Sequence, residues 1–475
     1  MRWSMRLTGM LSIVILARLL HPEDFGILAM ASILIGAFSN FTGVGVGAML
    51  IREAQVSDAD MDTAWTIKLI QGFLLAVLVA ASAHPAAQYF REPRLTDVVY
   101  VCAIAILIGS FGNIGTVLIR KELDFAKDFR YHLISRFVGS LITIALALLL
   151  RSYWALALAR PIGAVFGVGF SYAMHPYRPW FSLKSYRRFY RFSLFVVLAN
   201  VARFITNKAD VFLVGSTGTP TQMGLYNVAA DLSSIPATEI TSSVGRAMFP
   251  SLARFKRDGA DRLALNATFL RIIGSVVAMC LPLGLGMWVV ADDFVRVVFG
   301  ERWAGAAELM AILGVYGTLT ALVNISIGHV LIVTGHEYRQ AVALWIRCTL
   351  LVGCALVGMQ WGMKGIAIGA LVSGVIMFFV AIWFLKVTLG CSVRDFVRIY
   401  WRPTIASVLM VLIVHYAVLA MATLPAWLRL LSSVGIGAAS YVTVLLVLWL
   451  AAGRPEGAES GAMDVVFKRT AAGPK

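Results

Sequence analysis

His21-Pro-Glu-Asp-Phe-Gly26-Ile-Leu-Ala-Met30 opens one long apolar run, and Thr219-Pro-Thr-Gln-Met-Gly224-Leu-Tyr-Asn-Val228 opens another 198 residues later. Both are turns into a helix. The run that follows each spans about 25 residues and closes alike, with Ala48-Met49 before Arg52 and Ala247-Met248 before Arg254. Trp154 and Trp361 each begin a further Gly- and Ala-rich run. The match is weak residue by residue. The order of features nevertheless repeats, which is the signature of a duplicated bundle.

The chain around these turns has the composition of a membrane protein. Of its 475 residues, 59% are hydrophobic and only 14% charged, outside the soluble range. Apolar runs predict fourteen spans, near 3–20, 25–49, 64–90, 95–118, 131–150, 153–174 and 192–215, then 223–249, 263–290, 306–333, 340–358, 361–386, 403–422 and 427–451. Fourteen helices of roughly 21 residues leave roughly 12 residues for each connection, so no sizeable soluble domain fits. This argues against a globular catalytic unit, a nucleotide-binding domain or a large ectodomain. The predicted fold is an all-α polytopic membrane protein. Six-helix bundles over 1–190 and 191–390 form a parallel pseudo-twofold repeat with a cavity between them, two additional helices occupy 391–452, and 453–475 is a cytoplasmic tail.

The formal net charge of +16 is distributed unevenly. The tails and even-numbered loops hold 27 of the 41 Lys and Arg residues, the odd-numbered loops 8, and the rest lie inside spans. The richest stretches are Arg120 to Arg136, His175 to Arg191 and Arg246 to Arg262. This asymmetry places both termini in the cytoplasm, and an even span count agrees. Orientation and contact with anionic membrane lipid account for the basic loops; no nucleic-acid partner is implied. The five cysteines fall in or beside spans, so no disulfide framework is expected. Arg18, rather than a small-residue cleavage site, closes the first apolar stretch, which reads as a retained first helix.

Ionisable residues inside a span are costly and mark sites by default. Lys68, Arg203, Lys208, Asp210, Asp231, Glu239, Arg271 and Arg347 qualify, and the seventh span is the densest. Asn200, Arg203 and Asn207 recur at three and four residues and share one helical face, about 10 Å long at 1.5 Å per residue. Asp210 is read as extending that stripe. The functional reading is a cationic wall for an anionic or polyhydroxyl substrate, with Asp210, Asp231 or Glu239 as counter-ions or proton carriers. The competing reading is interhelical pairing that fixes packing, and for Arg271 and Arg347 it is snorkelling. Asn40, Asn113 and Asn324 fit cavity lining or helix–helix hydrogen bonds. Gly43, Gly45 and Gly47 suggest bending or close packing, and Pro236 and Pro282 suggest kinks. No P-loop, no His-Glu-x-x-His and no metal-spaced Cys/His cluster is present in the sequence. No metal or cofactor is expected, and active transport would draw on ion or membrane gradients.

Four stretches, three of them overlapping the repeated features above, carry a resemblance. Ile15-Leu-Ala-Arg-Leu-Leu-His-Pro-Glu-Asp-Phe-Gly26, Leu118-Ile-Arg-Lys-Glu-Leu-Asp-Phe125, Gly224-Leu-Tyr-Asn-Val-Ala229 and Ala247-Met-Phe-Pro-Ser-Leu-Ala253 resemble the Wzx-type polysaccharide and lipid-linked oligosaccharide flippases. These belong to the superfamily that also contains the multidrug and toxin extrusion transporters, and the likeness is strongest to exporters of colanic-acid and succinoglycan type. The resemblance implies an inner-membrane secondary transporter, not an enzyme. It would turn undecaprenyl-diphosphate-linked oligosaccharide units to the periplasmic leaflet by alternating access, for exopolysaccharide or lipopolysaccharide synthesis, and would partner a polysaccharide polymerase and chain-length assembly proteins. It also implies a cationic cavity, mapped here to Arg203 and Lys208 with Arg18 and Arg52 as motif positions. The alternatives are a cation-coupled multidrug exporter, which would favour carboxylates and aromatics, an integral polymerase or ligase, which would need a long periplasmic loop, and a non-transporting assembly scaffold.

Overall fold

The computed structural model of the chain describes residues 2–42, 46–53, 55–122, 124–186, 193–257 and 262–454; within these, the side chains at 2–5, 41–42, 46, 48, 52, 193–199, 246–257, 262–265, 329, 332–333 and 337 lie outside the description. Among the described residues there is no strand, and fourteen long helices follow one another. They are α1 (Arg2–Leu19), α2 (Pro22–Thr42), α3 (Asp58–Ala81), α4 (Leu95–Ser110), α5 (Phe125–Leu150), α6 (Tyr153–Met174) and α7 (Ser193–Thr217). The series continues with α8 (Pro220–Arg257), α9 (Arg262–Val298), α10 (Gly305–Val333), α11 (Glu337–Gly358), α12 (Gly362–Leu389), α13 (Val393–Ala420) and α14 (Ala426–Ala451). Short helices Val46–Arg52, Ala83–Tyr89 and Thr116–Lys121 trail α2, α3 and α4.

Local chemistry sets several of these boundaries. Ser57 and Asp60 form a capping box at the start of α3, and Ser392 and Asp395 form one at the start of α13, each satisfying amides that the helix itself cannot. The second box starts α13 ten residues before the expected 403, so Arg394, Arg398 and Arg402 stand on a helix rather than in a loop. In the same way α8 and α9 run 38 and 37 residues, about 57 and 55 Å at 1.5 Å per residue, against about 30 Å of hydrocarbon. The expected loop from Arg246 to Arg262 is therefore helical as far as Arg257. Gly43 and Gly45 lie outside the described residues, as does most of the 453–475 tail.

The chain divides into two compact units, Met1–Asn227 and Val228–Lys475, and α8 passes from the first into the second. In the first, α4 packs on α3 and α6, and α5 packs on α6 and α1. In the second, α10 packs on α9 and α12, and α11 packs on α12. The α3–α4, α4–α6 and α5–α6 pairs thus recur six helices later, while α13 and α14 pack on each other and on α9. Helical spacing builds the cores. Phe269, Ile273, Val276 and Cys280 of α9 bury one stripe against Leu322 and Ile325 of α10 and Leu385 of α12. In the first unit Leu16 and Leu20 meet Ala147, Ala155 and Leu156.

The two repeated turns meet inside the first unit. A Cβ on Gly26 would collide with the carbonyl oxygen of Pro220, and a Cβ on Gly224 would collide with the carbonyl oxygen of Pro22. The contact is reciprocal, as a local twofold requires, and both glycines are buried. Only a residue without a side chain lets two helix-opening turns approach so closely.

Candidate functional site

Hydropathy separates the fourteen helices into two kinds. Nine segments among the described residues are long and apolar enough to cross a membrane. They cover ten of the fourteen helices, and α4 is apolar but only 16 residues long; the described parts of α1, α7 and α8 are not among them. These are the helices that carry Arg18, Arg203, Lys208, Asp210, Asp231 and Glu239. A helix this polar gains nothing from contact with lipid along its charged face, so that face needs water or a polar partner.

Two faces of α7 are distinct. Ala202, Thr206, Asp210 and Val214, four residues apart, are all buried, and α7 packs against α2. Phe204 sits at Gly36 of α2, where even a Cβ would crowd the ring. Asn200 is half-buried, and Arg203 and Asn207 are exposed. The expected stripe of Asn200, Arg203 and Asn207 thus lies on the accessible side. Asp210 departs from it. It belongs to the buried line and accepts a hydrogen bond from the Tyr226 hydroxyl at 3.1 Å. Lys208 is half-buried, with Nζ 3.5 Å from Oδ1 of Asn227.

The remaining candidates are dispersed. Lys68 donates to the carbonyl of Gly112 at 2.9 Å and so ties α3 to the turn that follows α4. Arg18 is exposed in the last turn of α1, and Arg52 has its side chain outside the described residues. In the second unit Asp231 is exposed and Glu239 buried, both on α8. Asn40 donates to Gly36 of its own helix, and Arg347 donates to Asn324 at 2.8 Å, so those polar groups hold helices. Asn113 is fully committed: its amide holds the carbonyls of His175 and Tyr177. Among the described residues no group of three His, Cys, Asp or Glu side chains is placed to hold a metal ion.

Sequence reasoning passed over one intramembrane cation. Arg160 lies inside α6, half-buried, and Nη2 donates to Oγ of Ser32 on α2 at 2.8 Å. The signal was an arginine in the middle of a 22-residue apolar run.

A family of proteins described as polysaccharide biosynthesis protein matches residues 15–308, well over half of the chain. The chain belongs to that family. Among its relatives, the lipopolysaccharide biosynthesis protein WzxC of Escherichia coli is 25% identical over 423 residues, covering 86% of this chain and 83% of WzxC. The succinoglycan biosynthesis transport protein ExoT of Rhizobium meliloti is 25% identical over 304 residues, covering 64% of this chain and 61% of ExoT. Among solved structures, the lipid II flippase MurJ in an inward closed conformation superposes with a TM-score of 0.73 at 13% identity, covering 95% of this chain and 98% of that one. That likeness is one of fold. This polysaccharide biosynthesis protein is a multi-pass membrane protein of transporter architecture, and the resemblance read from its loop motifs holds. Its family match spans the motifs from Arg18 through α7 and ends in the first turn of α10.

Proposed function

We propose that this protein carries undecaprenyl-diphosphate-linked oligosaccharide units from the cytoplasmic to the periplasmic leaflet of the bacterial inner membrane by alternating access, with both of its own termini in the cytoplasm. The single observation that carries the reading is the accessible stripe of Asn200, Arg203 and Asn207 on α7, whose opposite side is buried and which packs on α2. Exposing a guanidinium to hydrocarbon costs at least several kcal/mol, so this face borders water. A diphosphate cannot cross about 30 Å of hydrocarbon unaided; it needs a lined path while the polyprenyl tail stays in lipid. The planar fork of Arg203 suits bidentate contact with diphosphate oxygens. Lys208 adds a point charge one residue beyond the stripe, and the amides of Asn200 and Asn207 can both donate to and accept from sugar hydroxyls. Asp210, Asp231 and Glu239 are the coupling carboxylates in this reading, and Arg18, Arg52 and Lys68 lie toward the ends of the path. A polymerase and chain-length assembly proteins would take up the product.

The test is deletion of the gene in its host, with leaflet-resolved analysis of lipid-linked sugars. Intact repeat units trapped in the cytoplasmic leaflet, released by the wild type but not by well-folded Arg203→Ala or Lys208→Ala, support flipping through a cationic path. Unchanged surface polymer with altered drug tolerance would overturn it in favour of drug export. Units stranded unpolymerised in the periplasmic leaflet would overturn it in favour of polymerisation.

A further inference from the structure

The segment that follows α6, residues 175–186, was expected to be an ordinary basic loop, but it is strapped to α3. Backbone N–H groups of Trp180, Ser182 and Ser185 donate to Asp62 Oδ1 at 2.9 Å, Thr66 Oγ1 at 3.0 Å and Thr63 Oγ1 at 3.2 Å. The Tyr177 hydroxyl donates to the same Asp62 oxygen. Asn113 Nδ2 donates to the carbonyls of His175 at 3.1 Å and Tyr177 at 2.8 Å. Arg178 donates back to those two carbonyls and lies over the Tyr172 ring. Helix α3 supplies Asp62, Thr63 and Thr66, within its first three turns, as a rack of acceptors, so the strap turns these backbone N–H groups inward.

The outward face is apolar and cationic. Trp180 is 77% exposed, Phe181 72% and Leu183 49%, with Lys184 exposed beside them. Phe181 touches Trp65 edge-to-face at 5.1 Å, which holds the ring in place without covering it. A strap facing bulk water would hold three large apolar side chains out of any core, against the ordinary direction of burial. Its depth resolves this. The three acceptors stand four to eight residues past the start of α3 at Asp58, about 6–12 Å along the axis at 1.5 Å per residue. Helix α3 is 24 residues long, about 36 Å against about 30 Å of hydrocarbon. Centred in the bilayer, α3 overhangs each edge by about 3 Å, so the acceptors lie about 3–9 Å inside the hydrocarbon edge, and the strap runs just beneath the membrane–water boundary, where tryptophan rings with one polar edge settle and from which lysine reaches anionic lipid.

We infer that residues 175–186 form a preorganised interfacial anchor, in which Trp180, Phe181 and Leu183 enter the headgroup–acyl boundary and Lys184 engages anionic phospholipid headgroups. The depth of the strap and its charge favour a lipid surface over a protein partner. The anchor needs no ordering when it meets lipid, because α3 already holds its backbone.

A nitroxide on Phe181→Cys tests this in the full chain reconstituted in nanodiscs, in a Cys354→Ala background because the other four cysteines are buried. The label should collide more with oxygen than with a water-soluble nickel chelate, and that preference should grow when phosphatidylglycerol joins phosphatidylcholine. Lys184→Gln should weaken the phosphatidylglycerol response about fivefold, the share of one lysine at a charged surface, while leaving the preference in phosphatidylcholine intact. A second label on Leu183→Cys should report the same depth. Preferential collision with nickel at both positions in both lipids would overturn the anchor. So would labels that are immobilised only when cytosolic protein is added, which would make the strap a protein dock.

Discussion

The turn into α2 and the turn into α8 solve one backbone problem with two chemistries. Each puts proline at the first helical position, and each places glycine four residues on, against the carbonyl of the other's proline. The caps differ. In the first turn the His21 N–H donates to Asp24 Oδ2 at 2.8 Å, and the helix opens with Glu23 and Asp24. In the second the cap is neutral and two-way: the Thr219 N–H donates to Gln222 Oε1 at 3.0 Å, and the Gln222 N–H donates to Thr219 Oγ1 at 3.3 Å. What has been kept is the close approach; the polar decoration has diverged. The acid of the first copy is put to use. Arg94 binds both Glu23 and Glu92 and lies 5.8 Å from the centroid of Tyr153, so the start of α2 is tied to the start of α4 and of α6. Thr221, the counterpart of Glu23, has a hydroxyl in place of that carboxylate.

The largest effect should come from breaking what the two turns share. Gly26→Ala and Gly224→Ala each force a methyl group into a backbone carbonyl that no rotamer change can move, and each should cost about 2–3 kcal/mol, seen as loss of monodisperse protein and a lower melting temperature. Gly163→Ala and Gly435→Ala, where an added Cβ meets nothing within 4 Å, should leave both unchanged. Equal penalties at Gly26 and Gly224 support a reciprocal crossing; a penalty at only one would break the comparison. Next in size is the chemistry that differs. Arg94→Ala leaves Glu92, only 6% exposed, without its partner and should cost about 1–3 kcal/mol, whereas Thr221→Ala should be near neutral by the same melting assay.

The same hub gives the acidic turn a pH dependence that the neutral turn lacks. The Arg94 hydrogen bond holds the Glu92 carboxyl below the usual carboxylate range, outweighing a burial effect that pushes it up. A carboxyl depressed on folding stabilises the protein fully above its unfolded value and loses that contribution as pH falls through the folded one. Melting temperature should therefore drop as pH is lowered through and below the ordinary carboxylate range, and Glu92→Gln should flatten that part of the drop. An unchanged slope in Glu92→Gln would assign the acid sensitivity to other carboxylates.

Much of the architecture was legible because lipid imposes one pattern on sequence. The apolar run predicts a sixth span at 153–174, and α6 occupies those residues; the 198-residue offset pairs two turns that touch. Charge misled where helices leave the membrane. Arginine marks the edge of hydrocarbon, not the end of a helix, so α8 and α13 extend through basic stretches read as loops. The site shows the same division. Spacing of three and four put Asn200, Arg203 and Asn207 on one face, but it could not say which flank of that face is buried, and Asp210 fell to the buried side. The partner of Lys68 is a backbone carbonyl 44 residues away, which no side-chain pattern announces.

The smallest effect separates the two caps themselves. Thr219→Ala removes the hydroxyl that accepts from Gln222 but leaves Gln222 Oε1 holding the Thr219 N–H, so half of the neutral cap survives. Losing a threonine N-cap typically costs about 1 kcal/mol, and the exposed position of Thr219 places it at the lower end. Asp24→Ala removes the whole side-chain contribution at the first turn, a charged acceptor of which only 9% is exposed. It also removes a carboxylate from the positive end of the α2 dipole. The first cap should therefore prove more costly to lose than the second, with Asp24→Asn intermediate because an amide can still accept the His21 N–H. Melting curves of the three variants in one detergent decide the order. If Thr219→Ala proves the more damaging, the neutral box is the stronger lock, and divergence between the turns has strengthened the cap that lost its acids.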